Sequence, residues 1–165
     1  MKKNNKGFSL VELIIIIAIM AVLTGSIITY VGILGSSQAK KCANELANHI
    51  SQTKVCAMSR SYASMTVYAD GTGVYVKTVQ GDTEKTEKIG DKGVTVTWRN
   101  ARNDTNYNQT IGTTPDDGLT LEFDRASGAC EKLDSGDYCY GFKITSGDST
   151  YNVNLEPLTG KAAVR

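Results

Sequence analysis

The sequence predicts an α+β protein in which one long N-terminal helix packs, through its second half, on an antiparallel β-sheet domain. The first observation behind this prediction is an uncharged run of 27 residues, 13–39, which continues into an amphipathic segment without an obvious break. The second is a change of pattern near residue 65, after which turn sequences separate short alternating segments. One helix followed by several hairpins is typical of the α+β class.

The helix is predicted to cover residues 8–61. We expect its first part, residues 8–35, to cross a membrane, because about 20 apolar helical residues span a hydrocarbon core of about 30 Å. Glycines between residues 25 and 35 favour either close helix packing or local unwinding there. The second part, residues 36–61, repeats small and apolar side chains at three- and four-residue steps, which predicts one buried face. That face comprises Cys42, Ala43, Leu46, Ile50, Thr53 and Ala57.

Residues 62–165 are predicted to form a β-rich globular domain. Turn sequences at residues 70–73, 90–93 and 146–149 predict hairpins between the strands that flank them. Residues 99–117 are rich in Asn, Thr and Asp, which predicts a long loop. The expected strands are residues 65–69, 74–79, 84–89, 94–98, 119–123, 129–133, 140–145, 151–155 and 161–164.

A carboxylate stands at the start of the apolar run. A leader with three lysines, residues 1–7, leads into the sequence Gly7-Phe8-Ser9-Leu10-Val11-Glu12. An ionised carboxylate inside a bilayer costs roughly 2.5–3.5 kcal/mol, so Glu12 needs a cationic partner. A secretory signal peptide has a shorter apolar core and a small-residue cleavage site, and neither fits this chain. A simple membrane anchor explains the lysines but leaves Glu12 unexplained.

This motif resembles the prepilin processing motif of type IV pilins and of the related type II secretion pseudopilins. The resemblance implies a pilin-like fold, cleavage by a prepilin peptidase between Gly7 and Phe8, and N-methylation of Phe8. It also implies that Glu12, the fifth mature residue, pairs with the N-terminal amine of a neighbouring subunit during filament assembly. Many family members have a proline near mature position 22, where this chain has Thr29. Residues 46–67 and 123–161 are similar in their spacing to the H-type minor pseudopilins.

Composition argues against several other classes of function. Once the leader lysines are set aside, 15 of the 18 basic residues remain against 17 acidic ones, which does not favour a generally basic nucleic-acid-binding surface. His49 is the single histidine, and no Ser-His-Asp arrangement or zinc-ligand spacing surrounds it. The acidic pairs at 116–117 and at 134 and 137 lack the ordered oxygen ligands of a calcium loop. We therefore predict that the chain is not an enzyme and uses no cofactor or metal.

Two of the four cysteines are predicted to form a disulfide. A hairpin centred on residues 133–136 places Cys130 and Cys139 almost opposite each other, at a cross-strand separation that suits the bond. A slip of one residue would instead put the two side chains on opposite faces. Cys42 and Cys56 lie 14 residues apart on the predicted helix, too far to bond, and are expected to be small core residues.

The sequence is therefore interpreted as a minor structural subunit of a type IV pilus or type II secretion-like filament. Its expected partners are other pilin subunits, prepilin peptidase, an inner-membrane assembly platform and membrane lipid. We expect a single-pass precursor in the cytoplasmic membrane, with its N terminus in the cytoplasm, and an extracytoplasmic or surface filament after assembly. One alternative is a competence pseudopilin whose outer domain binds DNA through Arg99, Arg102, Lys161 and Arg165. The other is a simple membrane-anchored surface domain.

Overall fold

A computed structural model describes residues 9–59, 62–102 and 106–165, except for the side chains of residues 25–34. The chain divides into two compact units, Met1–Leu34 and Gly35–Arg165. Within the described residues, one helix is followed by nine strands. The fold is therefore α+β, as the sequence predicts.

The helix α1 covers Leu10–Met58. Ser9 caps its N-terminus, because the hydroxyl oxygen of Ser9 accepts the backbone N–H of Glu12 at 3.2 Å. At the other end, the N–H of Ser59 donates to the carbonyl of Val55 at 3.0 Å, which closes the last turn. Residues 8, 60 and 61 of the predicted helix lie outside the described residues.

The strands form two antiparallel sheets. The first sheet has the order β3-β2-β1-β6, and the second has the order β5-β4-β7-β8-β9. The strands are β1 (Ala63–Asp70), β2 (Gly73–Gln80), β3 (Thr83–Asp91), β4 (Val94–Arg99), β5 (Gln109–Thr110), β6 (Leu119–Glu122), β7 (Gly141–Ser146), β8 (Ser149–Glu156) and β9 (Lys161–Val164).

Both sheets share one hydrophobic core with the second half of α1. The predicted buried face is confirmed: its six residues, from Cys42 to Ala57, are all buried. They belong to the same cluster as Met65 and Val76 of the first sheet and Phe142 and Ile144 of the second. This half of the helix is therefore an integral part of the folded body.

The predicted hairpin around residues 90–93 is wrong. Strand β3 pairs with β2, and β4 pairs with β7, so the chain passes from one sheet to the other at this turn. Gly93, with a φ of 95°, makes the change of direction possible. Side-chain patterns explain the separation: β3 is mostly exposed, whereas Val94, Val96 and Trp98 turn one face of β4 into the core.

Two smaller expectations are also corrected. Residues 129–133 do not form a strand, because the only ladder contact there is the isolated bridge between Phe123 and Cys130. The predicted loop at residues 99–117 contains the two-residue strand β5, which pairs with Thr97 and Trp98. The other predicted strands and the hairpins at residues 70–73 and 146–149 are confirmed.

Candidate functional site

The start of α1 holds Glu12 in a defined position. Ser9 is the N-cap residue and Glu12 is three residues later, which is the spacing of a capping box. A carboxylate in the first turn also interacts favourably with the positive end of the helix dipole. The sequence interpretation missed this local role of Ser9, although the Ser-x-x-Glu spacing was there to indicate it.

An apolar helical surface follows Glu12. Large apolar side chains between Leu10 and Leu23 are between 45% and 76% exposed within their unit. They occur at nearly every position of about four turns, so this part of the helix has no polar face to expose to water. The hydroxyl of Thr24 donates to the carbonyl of Met20 at 2.7 Å, which satisfies it without solvent. An exposed apolar surface of this extent is typical of a site of contact with another protein or with a membrane.

The predicted cleavage site, Gly7 and Phe8, lies outside the described residues. Within the residues that the structure describes, no helix meets the length and apolarity of a membrane span. Residues 25–34 of the predicted span have side chains outside that description.

Comparison with protein families decides how this N-terminal segment is classified. The family described as the prokaryotic N-terminal methylation motif matches residues 2–28. The chain carries the N-terminal methylation motif of type IV pilins and pseudopilins. The methylation motif includes Gly7, Phe8 and Glu12, and the helix packed on antiparallel sheets is consistent with the pilin-like fold. No curated protein and no solved structure gives a match to the chain.

All four cysteines are free thiols in the structure. Cys130 and Cys139 flank a turn in which the N–H of Leu133 donates to the carbonyl of Asp137 at 2.8 Å. Burial raises the pKa of Cys139, and the nearby Cys130 adds to that increase. Burial raises the pKa of Cys130 to about 12. The two thiols are thus both buried, and their bond stays a prediction.

Two of the four basic residues named for DNA binding, Arg99 and Arg102, have side-chain partners within the protein. Arg102 forms an ion pair with Glu156, with a nitrogen–oxygen distance of 2.9 Å. Arg99 donates to the amide oxygen of Asn154 at 3.2 Å and lies over the ring of Tyr107. These contacts reduce the positive charge that either arginine offers to a phosphate backbone.

His49 is a structural link between α1 and β3. Its Nε2 lies 3.2 Å from a carboxylate oxygen of Glu87, while Lys85 binds the other oxygen of the same carboxylate at 2.6 Å. The hydrogen bond from Lys85 is the main cause that lowers the pKa of Glu87. The imidazole therefore has a packing and tethering role between the helix and the sheet edge.

Proposed function

We propose that this chain is a non-enzymatic filament subunit that prepilin peptidase processes and that assembles through its N-terminal helix. The observation that supports this most is the methylation motif, whose glutamate sits in the first turn of a helix with apolar residues on every side. A segment that serves only as a targeting signal or a membrane anchor does not need a carboxylate at that position. Assembly gives the carboxylate a function.

The proposed sequence of events begins in the cytoplasmic membrane. The leader lysines keep the N-terminus in the cytoplasm, and the β-sheet body lies on the other side. Prepilin peptidase removes residues 1–7 and methylates Phe8. An assembly platform then transfers the subunit from lipid into a filament of like subunits.

Charge pairing and packing determine the assembly step. Lipid already shelters the apolar helix, so moving it among other apolar helices gives little additional hydrophobic free energy. A neighbour's N-terminal amine offers Glu12 an opposite charge, and the two groups compensate each other's desolvation in an apolar setting. The spacing that residues 46–67 and 123–161 share with the H-type minor pseudopilins supports the proposal of a minor subunit, in a type IV pilus or type II secretion-like filament.

Mass spectrometry of the mature protein tests this function. The chain is expressed with and without a prepilin peptidase, and its N-terminal peptide is sequenced. We expect a mature chain that begins at methylated Phe8 only when the peptidase is present. The variant Gly7→Ala is the matched control and should keep the leader while the body folds normally. An intact Met1 terminus in the presence of the peptidase would contradict the proposal and favour a simple membrane anchor.

A further inference from the structure

A cleft of about 370 Å³ lies along the outer edge of β6, the last strand of the first sheet. Strand β6 forms one wall, the segment 132–135 forms another, and Trp98 of the second sheet contributes to the lining. The cleft is far from the methylation motif in the sequence and has no part in the proposed assembly step. It therefore calls for an explanation of its own.

The backbone of β6 presents one unpaired position, Thr120, to this cleft. Next to it, the N–H of Glu131 donates to the carbonyl of Glu122, and the N–H of Asp124 donates to the carbonyl of Ala129, both at 2.8 Å. These bonds show that residues 122 and 124 direct their backbone groups away from β1. Because backbone direction alternates along a strand, the N–H and C=O of Thr120 point the same way.

The neighbouring segment does not continue the pairing as far as Thr120. After Glu131, the chain enters the turn closed by Leu133 and Asp137. In the described part of the chain, no backbone group bonds to Thr120 on this outer side. The edge is consequently available to an added strand.

The cleft is negatively charged around an apolar floor. Asp116, Glu122 and Asp134 line it, together with Leu119 and Leu133. Within the described residues, neither Asp116 nor Asp134 takes part in an ion pair.

Lys132 and Tyr62 offset only part of the negative charge of the cleft. Lys132 also lines the cleft, but its ammonium lies 5.6 Å from the ring centroid of Tyr138, to which it is attracted as a cation. The carboxylate of Glu122 accepts a hydrogen bond of 2.6 Å from the hydroxyl of Tyr62. This bond fixes the position of the carboxylate but does not neutralise its negative charge. The cleft thus keeps an excess of negative charge.

The opposite edge of the same sheet is built differently. Strand β3 has nine residues, and its exposed lysines and glutamates form ion pairs with each other and with residues of neighbouring elements. Balanced charges along an exposed edge discourage strand addition. Strand β6 has no such protection at Thr120, so the two edges of this sheet differ in what they can accept.

We propose that the β6 cleft binds an extended, basic segment of a partner protein by adding it to the first sheet as a further strand. The backbone of the segment pairs with Thr120, its lysine or arginine side chains face Asp116 and Asp134, and its alternate apolar side chains cover Leu119 and Leu133. Backbone pairing gives such a complex affinity, and the side-chain pockets give it specificity.

Tryptophan fluorescence of the full chain in a neutral detergent tests this binding. Trp98 is the single tryptophan of the chain and lines the cleft, so its emission reports occupancy. The probe is a peptide of alternating lysine and valine. We expect a saturable change in emission with this peptide. We expect no saturable change with spermidine, or with the same peptide N-methylated at alternate amides so that it cannot pair as a strand.

Variants locate the site. The double variant Asp116→Asn/Asp134→Asn should weaken peptide binding about fivefold, in line with two partly exposed charge pairs. Asp82→Asn/Asp148→Asn removes the same charge from two exposed hairpin turns and should leave the affinity unchanged.

Three results would overturn the proposal. They are the absence of a saturable change, equal binding of spermidine or of the N-methylated peptide, and equal weakening by both double variants. A change in Trp98 emission with protein concentration alone would also overturn it, because a second copy of the chain would then occupy the cleft.

Discussion

Glu12 has a local role at the start of α1 and a proposed intermolecular role in assembly. Its backbone N–H bonds to Ser9, and its carboxylate lies in the first turn, where the helix dipole favours negative charge. Our proposal gives the same carboxylate a second role, in subunit assembly. Variants must separate these two roles before a loss of assembly can be attributed to charge pairing.

Glu12→Gln should abolish incorporation into filaments while insertion and cleavage continue. Glutamine can replace glutamate in a capping box but has no charge to pair with an amine. Ser9→Ala is the control, since it removes the cap, at a cost of about 1 kcal/mol, and keeps the charge. We expect near-normal incorporation of Ser9→Ala when sheared filaments are quantified by immunoblot. Normal incorporation of Glu12→Gln would contradict the proposed pairing.

Gly160 lies where three segments meet. It has a φ of 58°, and a β-carbon there would overlap the carbonyl oxygen of Gly128. Lys54 of α1 reaches the same turn and donates to the carbonyl of Thr159 at 2.6 Å. The end of the helix is therefore fixed to two loops by a contact that only glycine permits.

Gly160→Ala should lower the free energy of unfolding by more than Gly147→Ala does. Both glycines have left-handed backbone conformations, with φ values of 58° and 57°, so both substitutions carry a strain of about 1–2 kcal/mol. Only Gly160 adds steric overlap, which typically costs about 1–3 kcal/mol more. Urea unfolding followed by Trp98 fluorescence measures the difference. Equal losses would show that the three-segment junction is looser than described.

At the scale of elements, the turns depend on carboxylates that cap their own backbone. Asp124 is one example: it accepts the N–H of Ser127 at 2.8 Å as well as the hydroxyl of the same residue. Both hydrogen bonds lower the pKa of Asp124 below its ordinary value of 3.8. The bond from the hydroxyl contributes most, and the bond from the backbone N–H is second. The turn that connects β6 to the 129–131 segment is stabilised by the ionised carboxylate.

Acid should therefore weaken this turn. Because the folded pKa is depressed, the stabilisation is present above the unfolded pKa and is lost as the pH falls through the folded pKa. Asp124→Asn retains an acceptor without a charge, so its stability should depend less on pH below about 4. Unfolding curves between pH 2 and pH 6 measure this. Asp148→Asn is the control and should follow the wild-type pH dependence; if Asp124→Asn does so too, the turn does not depend on the carboxylate.

Most elements and two of the hairpins could be predicted from the sequence, whereas the division of the strands between two sheets could not. Alternating segments and turn residues are local signals, so β1, β2, β7 and β8 lie where the pattern places them. The segments that became β3 and β4 are joined by an equally good turn sequence, yet they belong to different sheets. That choice depends on which face each strand can bury, and this is a property of the assembled core.

At the scale of the whole molecule, the same distinction applies to function. The methylation motif is a contiguous sequence, so it could be recognised without a structure, and the roles of Gly7, Phe8 and Glu12 stay predictions. The β6 cleft brings together Trp98, Asp116 and Asp134 from separate parts of the chain. No local pattern indicates it, because its existence depends on how the two sheets are arranged.

Thiol counting tests the predicted disulfide across the whole molecule. In the native protein, we expect Cys56 to react first, because it is half-buried beside the exposed Val55. Burial raises the pKa of Cys42 to about 12, and it protects Cys130 and Cys139 in the same way. After denaturation of protein purified without reductant, the bonded form should release two reactive thiols; a count of four would contradict the bond.

The position of β1 has a mechanical consequence. This strand follows α1 in the chain and lies between β2, with which it shares eight residue pairs, and β6, with which it shares four. A pull along β1 must therefore break two ladders of hydrogen bonds together, because neither neighbour can be peeled away first. If the proposed assembly platform draws the subunit by its helix, the pull therefore loads both ladders at once.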